Sequence, residues 1–200
     1  MESIAIARLY DILLYPFLNK IRKKIAKLIL QLNPKSVIDI CCGTGNQLKF
    51  LKNSDIKLTG IDNSLAMLKV SKDIDCYEQD AKNIQFPDNS FDLAIIQLAL
   101  HEKPFDDQKK IINEAHRIIN NNGHLLILDY EINKNTSRLS RNVINAIEYM
   151  AGNEHYRNFK QFHKNNCTNK VINPEHFILK KKIRIAGNSM TIQILQKQAT

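Results

Sequence analysis

The chain has 200 residues, which is the size of one globular domain. Its 44% hydrophobic and 24% charged residues exclude the disordered and fibrous classes of protein. The formal charge of +9 is typical of proteins that bind nucleic acid or anionic membranes, but it also arises when lysines cover a solvated surface. We favour the second interpretation.

Further patterns exclude other classes. No apolar run is long enough to span a bilayer, and the N-terminal residues carry charges and lack the cleavage site of a signal peptide. The four cysteines show no C-x-x-C spacing, so we expect neither a disulfide framework nor a structural zinc site. A reducing, cytoplasmic location is therefore expected.

The predicted elements begin with helices. Residues 4–14 and 17–32 have apolar residues at helical spacing, and we expect two helices broken near Pro16. The strands predicted after them are 36–41, 57–62, 73–80, 91–100 and 124–130, and the helices between strands are 47–53, 64–72 and 106–120. A mostly helical stretch over 138–165 and two strands in 177–196 around a Gly187-Asn188 hairpin complete the chain.

Strands that alternate with helices predict a doubly wound, parallel α/β sheet, and the final hairpin adds an antiparallel pair at one edge. In such sheets a ligand binds beyond the carboxyl ends of the strands, where the strand order reverses. Functional residues are therefore expected in the segments 39–46, 62–63, 80–81 and 97–102.

The first of these segments reads Asp-Ile-Cys-Cys-Gly-Thr-Gly-Asn. Gly43 and Gly45 permit a sharp turn and a close approach of a ligand to the main chain. The spacing is not a dinucleotide fingerprint, because Leu48 stands where the third glycine belongs, and no Gly-Lys-Ser/Thr of a P-loop follows. Asp39, inside the strand, suits a ligand with a cationic amine. The alternative is a glycine-rich turn such as any α/β protein contains.

Two further carboxylates end the next strands. Asp62 is placed to accept both hydroxyls of a ribose, and it is equally suited to cap the following helix. Asp80, followed by Ala81, is placed to accept an adenine amino hydrogen. The residues expected to flank the adenine ring are Ile61, Asn63 and Met67.

Together, the segments VIDICCGTG (37–45), GIDNS (60–64) and DAKNIQFPDNSFD (80–92) resemble the class I S-adenosylmethionine-dependent methyltransferases over residues 36–130. The Cys41-Cys42 doublet is similar to the quinone and menaquinone biosynthesis C-methyltransferase subgroup, although most members of the family have glycine at the position of Cys41. The resemblance implies a seven-stranded Rossmann-like sheet, mostly parallel with an antiparallel C-terminal hairpin and helices on both faces.

The resemblance also implies one domain over residues 1–200, in which 1–33 form a helical lid, 36–130 hold the cofactor and 131–200 face the acceptor. The cofactor is S-adenosylmethionine, with S-adenosylhomocysteine as product and no metal. The cofactor-binding residues that it implies are Asp39, Cys41, Gly43, Gly45, Asp62, Asn63, Met67, Asp80, Ala81 and Gln97.

Acceptor-side residues are less well defined. His101 is a candidate base or orienting group and Glu102 a candidate polarising group, and the alternative for His101 is a packing role. Tyr10, a further catalytic candidate, and Tyr15 would form an aromatic lid or simply pack the helices. His155 and Tyr156 would line an acceptor pocket or belong to an ordinary amphipathic cover.

The predicted function is methyl transfer to a small-molecule or lipid-like acceptor by in-line displacement. The NPPY or DPPY motif of amino-nitrogen methyltransferases is absent after the fourth strand, so we expect no specific nucleic-acid partner. The alternatives are a non-catalytic S-adenosylmethionine-binding module or partner subunit and, less favoured, an RNA-directed methyltransferase. Weak association with an anionic surface stays open, and the sequence indicates no oligomeric state.

Overall fold

The computed structural model describes residues 4–71 and 74–198, with side chains from Pro16 onward. Within these ranges the strands are β1 Ser36–Ile40, β2 Lys57–Asp62, β3 Asp75–Glu78, β4 Phe91–Gln97, β5 Ile119–Tyr130, β6 Phe177–Ile185 and β7 Met190–Lys197. The helices are α1 Ile4–Leu32, α2 Leu65–Leu68, α3 Phe105–Ile118, α4 Arg138–Met150 and α5 Asn153–Lys164.

The seven described strands form one sheet in the order β3-β2-β1-β4-β5-β7-β6. The first five strands pair in parallel, while β7 pairs antiparallel with both β5 and β6. The chain runs outward from β1 to β3 and then returns to β4, so the strand order reverses between β1 and β4. The predicted mostly parallel sheet with an antiparallel C-terminal hairpin is confirmed.

Each face of the sheet buries apolar residues. On one face, Ile38 and Ile40 of β1 belong to a core that includes Ile111 and Ile112 of α3. On the other face, Val37 belongs to a core that includes Ile25 and Ile29 of α1 together with Ile144 of α4. Side chains alternate along a strand, so Asp39 lies on the same face of β1 as α1.

Three predicted elements have different bounds in the structure. The break near Pro16 is wrong, because α1 continues through this residue and a helix of 29 residues tolerates the one hydrogen bond that proline removes. The helix predicted over 47–53 is reduced to a 3₁₀ turn at Leu48–Phe50. The helix predicted over 64–72 ends at Leu68, and Ser71, whose hydroxyl lies 3.2 Å from Cys76 Sγ, packs directly against the next strand.

The fifth strand begins earlier than predicted. The Asn122-Gly123 pair lies inside β5 and does not end the preceding helix, because Ile119 pairs with Phe91 before the register shifts. A Cβ atom at Gly123 would lie 2.8 Å from the Asp92 carbonyl, so this irregular pairing requires glycine. None of the helices in the described ranges is both long enough and apolar enough to cross a membrane.

Candidate functional site

The loop after β1 is attached to the end of β2 by Asp62. One carboxylate oxygen of Asp62 accepts the Gly43 N–H at 2.8 Å, and the other accepts the Ser64 N–H at 2.9 Å. The Cys42 N–H adds a bond of 2.9 Å to the Ile61 carbonyl. Each carboxylate oxygen has a second lone pair, so Asp62 can still accept hydroxyl hydrogens from a ligand.

Asp39 is a buried carboxylate that has no ion pair with a cation among the residues described by the structure. Its side chain is 2% exposed, and its Oδ1 atom has no hydrogen-bond partner. Burial, together with the nearby Asp62 carboxylate, raises the pKa of Asp39 to about 8, although Arg22 acts in the opposite direction. A buried oxygen of this kind at the switch point could accept a hydrogen bond from a ligand cation, since leaving it unpaired is costly.

The turn after β1 is built from residues with positive φ. Gly43 and Gly45 have φ of 54° and 67°, which glycine adopts without strain. Cys41 has φ of 60° and carries a Cβ atom, so it occupies the left-handed region at a cost. This is the position at which the sequence departs from the glycine of most family members.

We therefore expect Cys41→Gly to raise the free energy of unfolding by about 1 kcal/mol, the usual cost of the left-handed conformation for a residue with a Cβ atom. Urea denaturation measures the change. Cys41→Ala is the matched control, since it removes the thiol and keeps the Cβ atom. If alanine stabilises the protein as much as glycine does, backbone strain at Cys41 is not the cause.

Gly60 of β2 packs closely against the turn. A Cβ atom added at Gly60 would lie 2.7 Å from Cys76 Sγ and 2.8 Å from Cys42 Sγ, so β2 needs glycine where the two cysteines approach each other. The two sulfur atoms are 3.9 Å apart. Burial raises the pKa of Cys42 and raises that of Cys41 to about 12, so both remain thiols at neutral pH.

The loop after β3 lies beside Asp62, because the Gln79 N–H donates to the Asp62 carbonyl at 3.1 Å. Asp80 accepts the Lys82 N–H at 2.9 Å and is largely exposed, while Ala81 is buried. The structure therefore brings Asp80 and Ala81 to the same sheet edge as Asp62. Of the other predicted residues there, Met67 and Gln97 are half-buried and Asn63 is exposed.

His101 is buried between two carboxylates. Its Nδ1 atom lies 2.7 Å from Asp129 Oδ1, and its Nε2 atom lies 3.4 Å from Glu148 Oε2. Burial by itself lowers the pKa of His101, but Asp129 and Glu148 outweigh it and raise the pKa to about 10. An imidazole that already carries its second proton cannot accept another, which favours an orienting role for His101 over that of a base.

A second histidine completes this group. The Nε2 atom of His155 lies 2.6 Å from Glu148 Oε2, and its Nδ1 atom lies 3.6 Å from Glu102 Oε2. Glu102 also pairs with Lys103 Nζ at 2.7 Å. Burial raises the pKa of Glu148, but His101 and His155 outweigh it and lower the pKa to about 2. We call His101, Asp129, Glu148 and His155 the buried histidine cluster.

An apolar cavity of about 240 Å³ lies next to this cluster. Tyr130 connects the two, because its ring lies 4.7 Å from that of His101 and it also lines the cavity. Leu98, which follows Gln97 directly and has φ of 50°, contributes a second wall. The remaining lining residues come mainly from α1, α4 and the β6–β7 hairpin, and include Phe17, Leu18, Val143, Ile144, Ile147 and Met190.

The predicted acceptor-side residues are thus brought together only in part. His101, Glu102 and His155 meet at the buried histidine cluster. Tyr156 packs beside Phe159, with ring centroids 6.2 Å apart, and Phe159 is buried in the core. The predictions for Tyr10 and Tyr15 concern side chains that lie outside the described residues.

Comparison with known proteins agrees with the fold and the motifs. Residues 38–127 match the family model of a methyltransferase domain. The chain is 34% identical over 145 residues to the demethylmenaquinone methyltransferase of Thermotoga maritima, an alignment that covers 68% of this chain and 62% of that protein. Over this region the chain is similar to the class I S-adenosylmethionine-dependent methyltransferases. The protein of the same name from Listeria welshimeri is 30% identical over 122 residues, covering 55% of this chain and 51% of its own length.

The chain spans less than two thirds of the length of these curated relatives. Solved structures share its fold. A Pyrococcus horikoshii protein has a TM-score of 0.60 and 14% identity, covering 96% of this chain and 91% of its own. An O-methyltransferase family protein from Burkholderia thailandensis has a TM-score of 0.68 and 15% identity, covering 95% and 59%. At such identities the likeness concerns the fold alone.

Sequence reasoning missed two residues of the buried histidine cluster. Asp129 ends an apolar strand and Glu148 lies in a helix that reads as polar, so each looks like a solvated carboxylate. Glu148 had one detectable signal, since it follows Ile144 by four residues and therefore shares the buried face of α4. Its two histidine partners are distant in sequence, and the fold alone brings them together.

Proposed function

We propose that this methyltransferase transfers the methyl group of S-adenosylmethionine to an apolar, ring-containing small molecule of the quinone type. The observation that carries the proposal is the apolar cavity lined by Leu98 and Tyr130, which lies at the sheet edge where β1 and β2, the strands of Asp39 and Asp62, also end. The printed function of the T. maritima relative, a demethylmenaquinone methyltransferase, supports an acceptor of this class.

The residues at the switch point fit the cofactor. The unpartnered Oδ1 atom of Asp39 would hold the amino group of the methionine part, and Asp62 would hold the ribose hydroxyls. Gly43 would let the main chain approach the ligand, while Ala81 and Met67 would contact the adenine with Asp80 at its rim. When bound, S-adenosylmethionine supplies a methyl group that its sulfonium charge already activates.

The protein's part in the reaction is then mainly positioning and exclusion of water. The cavity walls Leu98, Tyr130 and Ile144 would hold an apolar ring by contact and keep solvent away. His101 would fix the Tyr130 ring by edge contact and would not itself take a proton from the acceptor.

A nucleic-acid acceptor is not part of the proposal. Lys23, Lys24 and Lys27 of the basic helix α1 are exposed, whereas the site residues Asp39 and Asp62 are acidic. A polyanionic substrate would meet carboxylates at the point of transfer. The positive charge of the chain therefore describes its outer surface.

The proposal is tested by Val143→Trp. Val143 lies at the cavity wall and is 47% exposed, so a larger side chain would fill the cavity from its rim without disturbing the core. With a demethylated naphthoquinol as acceptor, we expect KM for the acceptor to rise about tenfold or more, the effect of losing roughly 1.4 kcal/mol of contact. Affinity for S-adenosylmethionine, measured by calorimetry, stays unchanged.

Leu139→Trp is the matched control. Leu139 lies on the same helix as Val143 and is 76% exposed, but it does not line the cavity. Its substitution leaves both constants unchanged. If Val143→Trp leaves the acceptor KM unchanged, the cavity is not the acceptor site; if the wild-type protein binds the cofactor and methylates no quinol, the acceptor class is wrong.

A further inference from the structure

The buried histidine cluster has the composition of a metal site. Ligand atoms of His101, Glu148 and His155 all lie within 4.8 Å of one another. Two imidazoles and one carboxylate are a donor set that first-row divalent metals accept, whether zinc, iron or cobalt. We propose that these three residues bind a divalent transition metal ion of the zinc or iron type, in addition to the cofactor and acceptor sites.

The orientation of the two rings supports the proposal. Each histidine directs Nε2 toward Glu148 and Nδ1 toward a different carboxylate, Asp129 for His101 and Glu102 for His155. Metal-binding histidines characteristically donate their second N–H to a carboxylate, which fixes the tautomer and aims the other nitrogen at the ion. His101 has this arrangement, with Nδ1 2.7 Å from Asp129 Oδ1, whereas His155 Nδ1 lies 3.6 Å from Glu102 Oε2, beyond hydrogen-bond distance.

Glu148 supplies a second, independent observation. Its side chain is 2% exposed, and its Oε2 atom lies between the two Nε2 atoms without an aligned hydrogen bond. Around a tetrahedral ion, ligand atoms are separated by about 3.3 Å. The distances from Glu148 Oε2, 3.4 Å to His101 and 2.6 Å to His155, require shifts of less than an ångström to reach that value.

Charge balance agrees with a divalent ion. Asp129 and Glu148 are both buried, and the ion pairs that they make in the described chain are with imidazoles. A doubly charged ion would balance both carboxylate charges once His101 has released its second proton to solvent, because histidine binds metals as a neutral imidazole. The sequence-based expectation of a metal-free protein rested on spacing, and residues 101, 148 and 155 have no motif spacing.

The ion would join three parts of the fold. His101 follows β4, Glu148 lies on α4 and His155 on α5, so an ion there would fasten both helices to the sheet edge beside the cavity. His155 is the most exposed of the three and marks the side from which the ion enters. The proposed role is therefore to position the helices that wall the acceptor cavity.

Metal binding by the full chain, after chelation with EDTA and without cofactor or acceptor, tests the proposal. We expect one equivalent of Zn²⁺ per chain by elemental analysis after dialysis, and a Co²⁺ titration with absorption bands typical of nitrogen and oxygen ligands. His155→Gln and Glu148→Gln should each weaken binding at least tenfold and abolish the rise in Tm that Zn²⁺ produces in the wild type.

His176→Gln is the matched control, because His176 and His116 form a second histidine pair with ring centroids 4.2 Å apart. This variant should bind metal like the wild type. The proposal is overturned if no metal is retained at micromolar concentration, if His155→Gln and Glu148→Gln bind as tightly as the wild type, or if His176→Gln alone lowers the affinity. None of these outcomes depends on methyl transfer, so they leave the proposed function separately testable.

Discussion

Asp39→Asn is expected to weaken S-adenosylmethionine binding by about 10- to 100-fold, which corresponds to the loss of one charge-assisted hydrogen bond. The substitution keeps the shape of the side chain and removes its charge. Asp39 is 2% exposed, so bulk solvent is poorly placed to replace a lost ligand contact at its carboxylate. Calorimetric titration with S-adenosylmethionine measures the change, and Asp55→Asn, at an exposed loop position, serves as control.

The same carboxyl makes the affinity pH-dependent. Burial raises the pKa of Asp39 to about 8, so the free protein carries a neutral carboxyl at pH 6, and binding a cationic amine must release that proton. Affinity should rise up to tenfold per pH unit toward pH 8 and then level off or fall, because an α-amino group loses its own proton near pH 8. In Asp39→Asn this rise disappears. A wild-type affinity that is constant between pH 6 and 8 would contradict the assignment.

At high pH, Asp39→Asn should change the stability of the ligand-free protein in the opposite direction to its effect on cofactor affinity. A carboxyl whose pKa is raised on folding contributes its stability below its unfolded pKa, and that contribution is lost as pH rises through about 8. Asp39→Asn removes this loss, so the variant should be more stable than the wild type at pH 8.5 although it binds cofactor less well. A variant that is merely misfolded would be less stable at every pH.

His101→Ala is expected to lower the free energy of unfolding by about 3–5 kcal/mol in the metal-free protein, the cost of removing one partner from a buried ion pair. The substitution leaves Asp129 and Glu148 buried with a shared cation missing, and it also empties the space beside Tyr130. Urea denaturation monitored by circular dichroism measures the loss.

Two comparisons separate charge from packing at His101. Combining His101→Ala with Asp129→Asn removes the carboxylate whose ion-pair partner among the described residues is His101, so part of the stability should return. Arg157→Ala removes the cation of an exposed pair with Glu154 on α5 and should cost less than about 1 kcal/mol. If the double variant is less stable by the sum of its two single losses, packing and not charge explains the effect of His101.

Sequence patterns were sufficient for the sheet. Residues 93–96 of β4 and 125–128 of β5 are continuous apolar runs because both of their faces are covered, and Gly187-Asn188 lies where the final hairpin turns. The short helices after β1 and β2 were overestimated. Their lengths depend on where Leu48 and Ser71 find partners, and helical periodicity over so few residues carries little information about tertiary contacts.

The residues of the candidate site show the same contrast between positions fixed by the strand pattern and positions fixed by tertiary contacts. Asp39, Gly43 and Asp62 were found from sequence, because each sits at a strand end whose position the topology fixes. Asp129 and Glu148 were not, because their importance comes from a partner on another element. The unusual backbone at Leu98 was equally invisible, since a leucine gives no local sign that φ is positive.

The two N–H bonds that Asp62 accepts from Gly43 and Ser64 have a thermodynamic consequence. Both loops are held in place before any ligand arrives, so the conformational entropy of ordering them is lost during folding and not during binding. A cofactor bound as we propose would meet loops that are already ordered. Affinity and fold stability would then both depend on one carboxylate, and selection for tight binding at Asp62 would also be selection for a well-ordered chain.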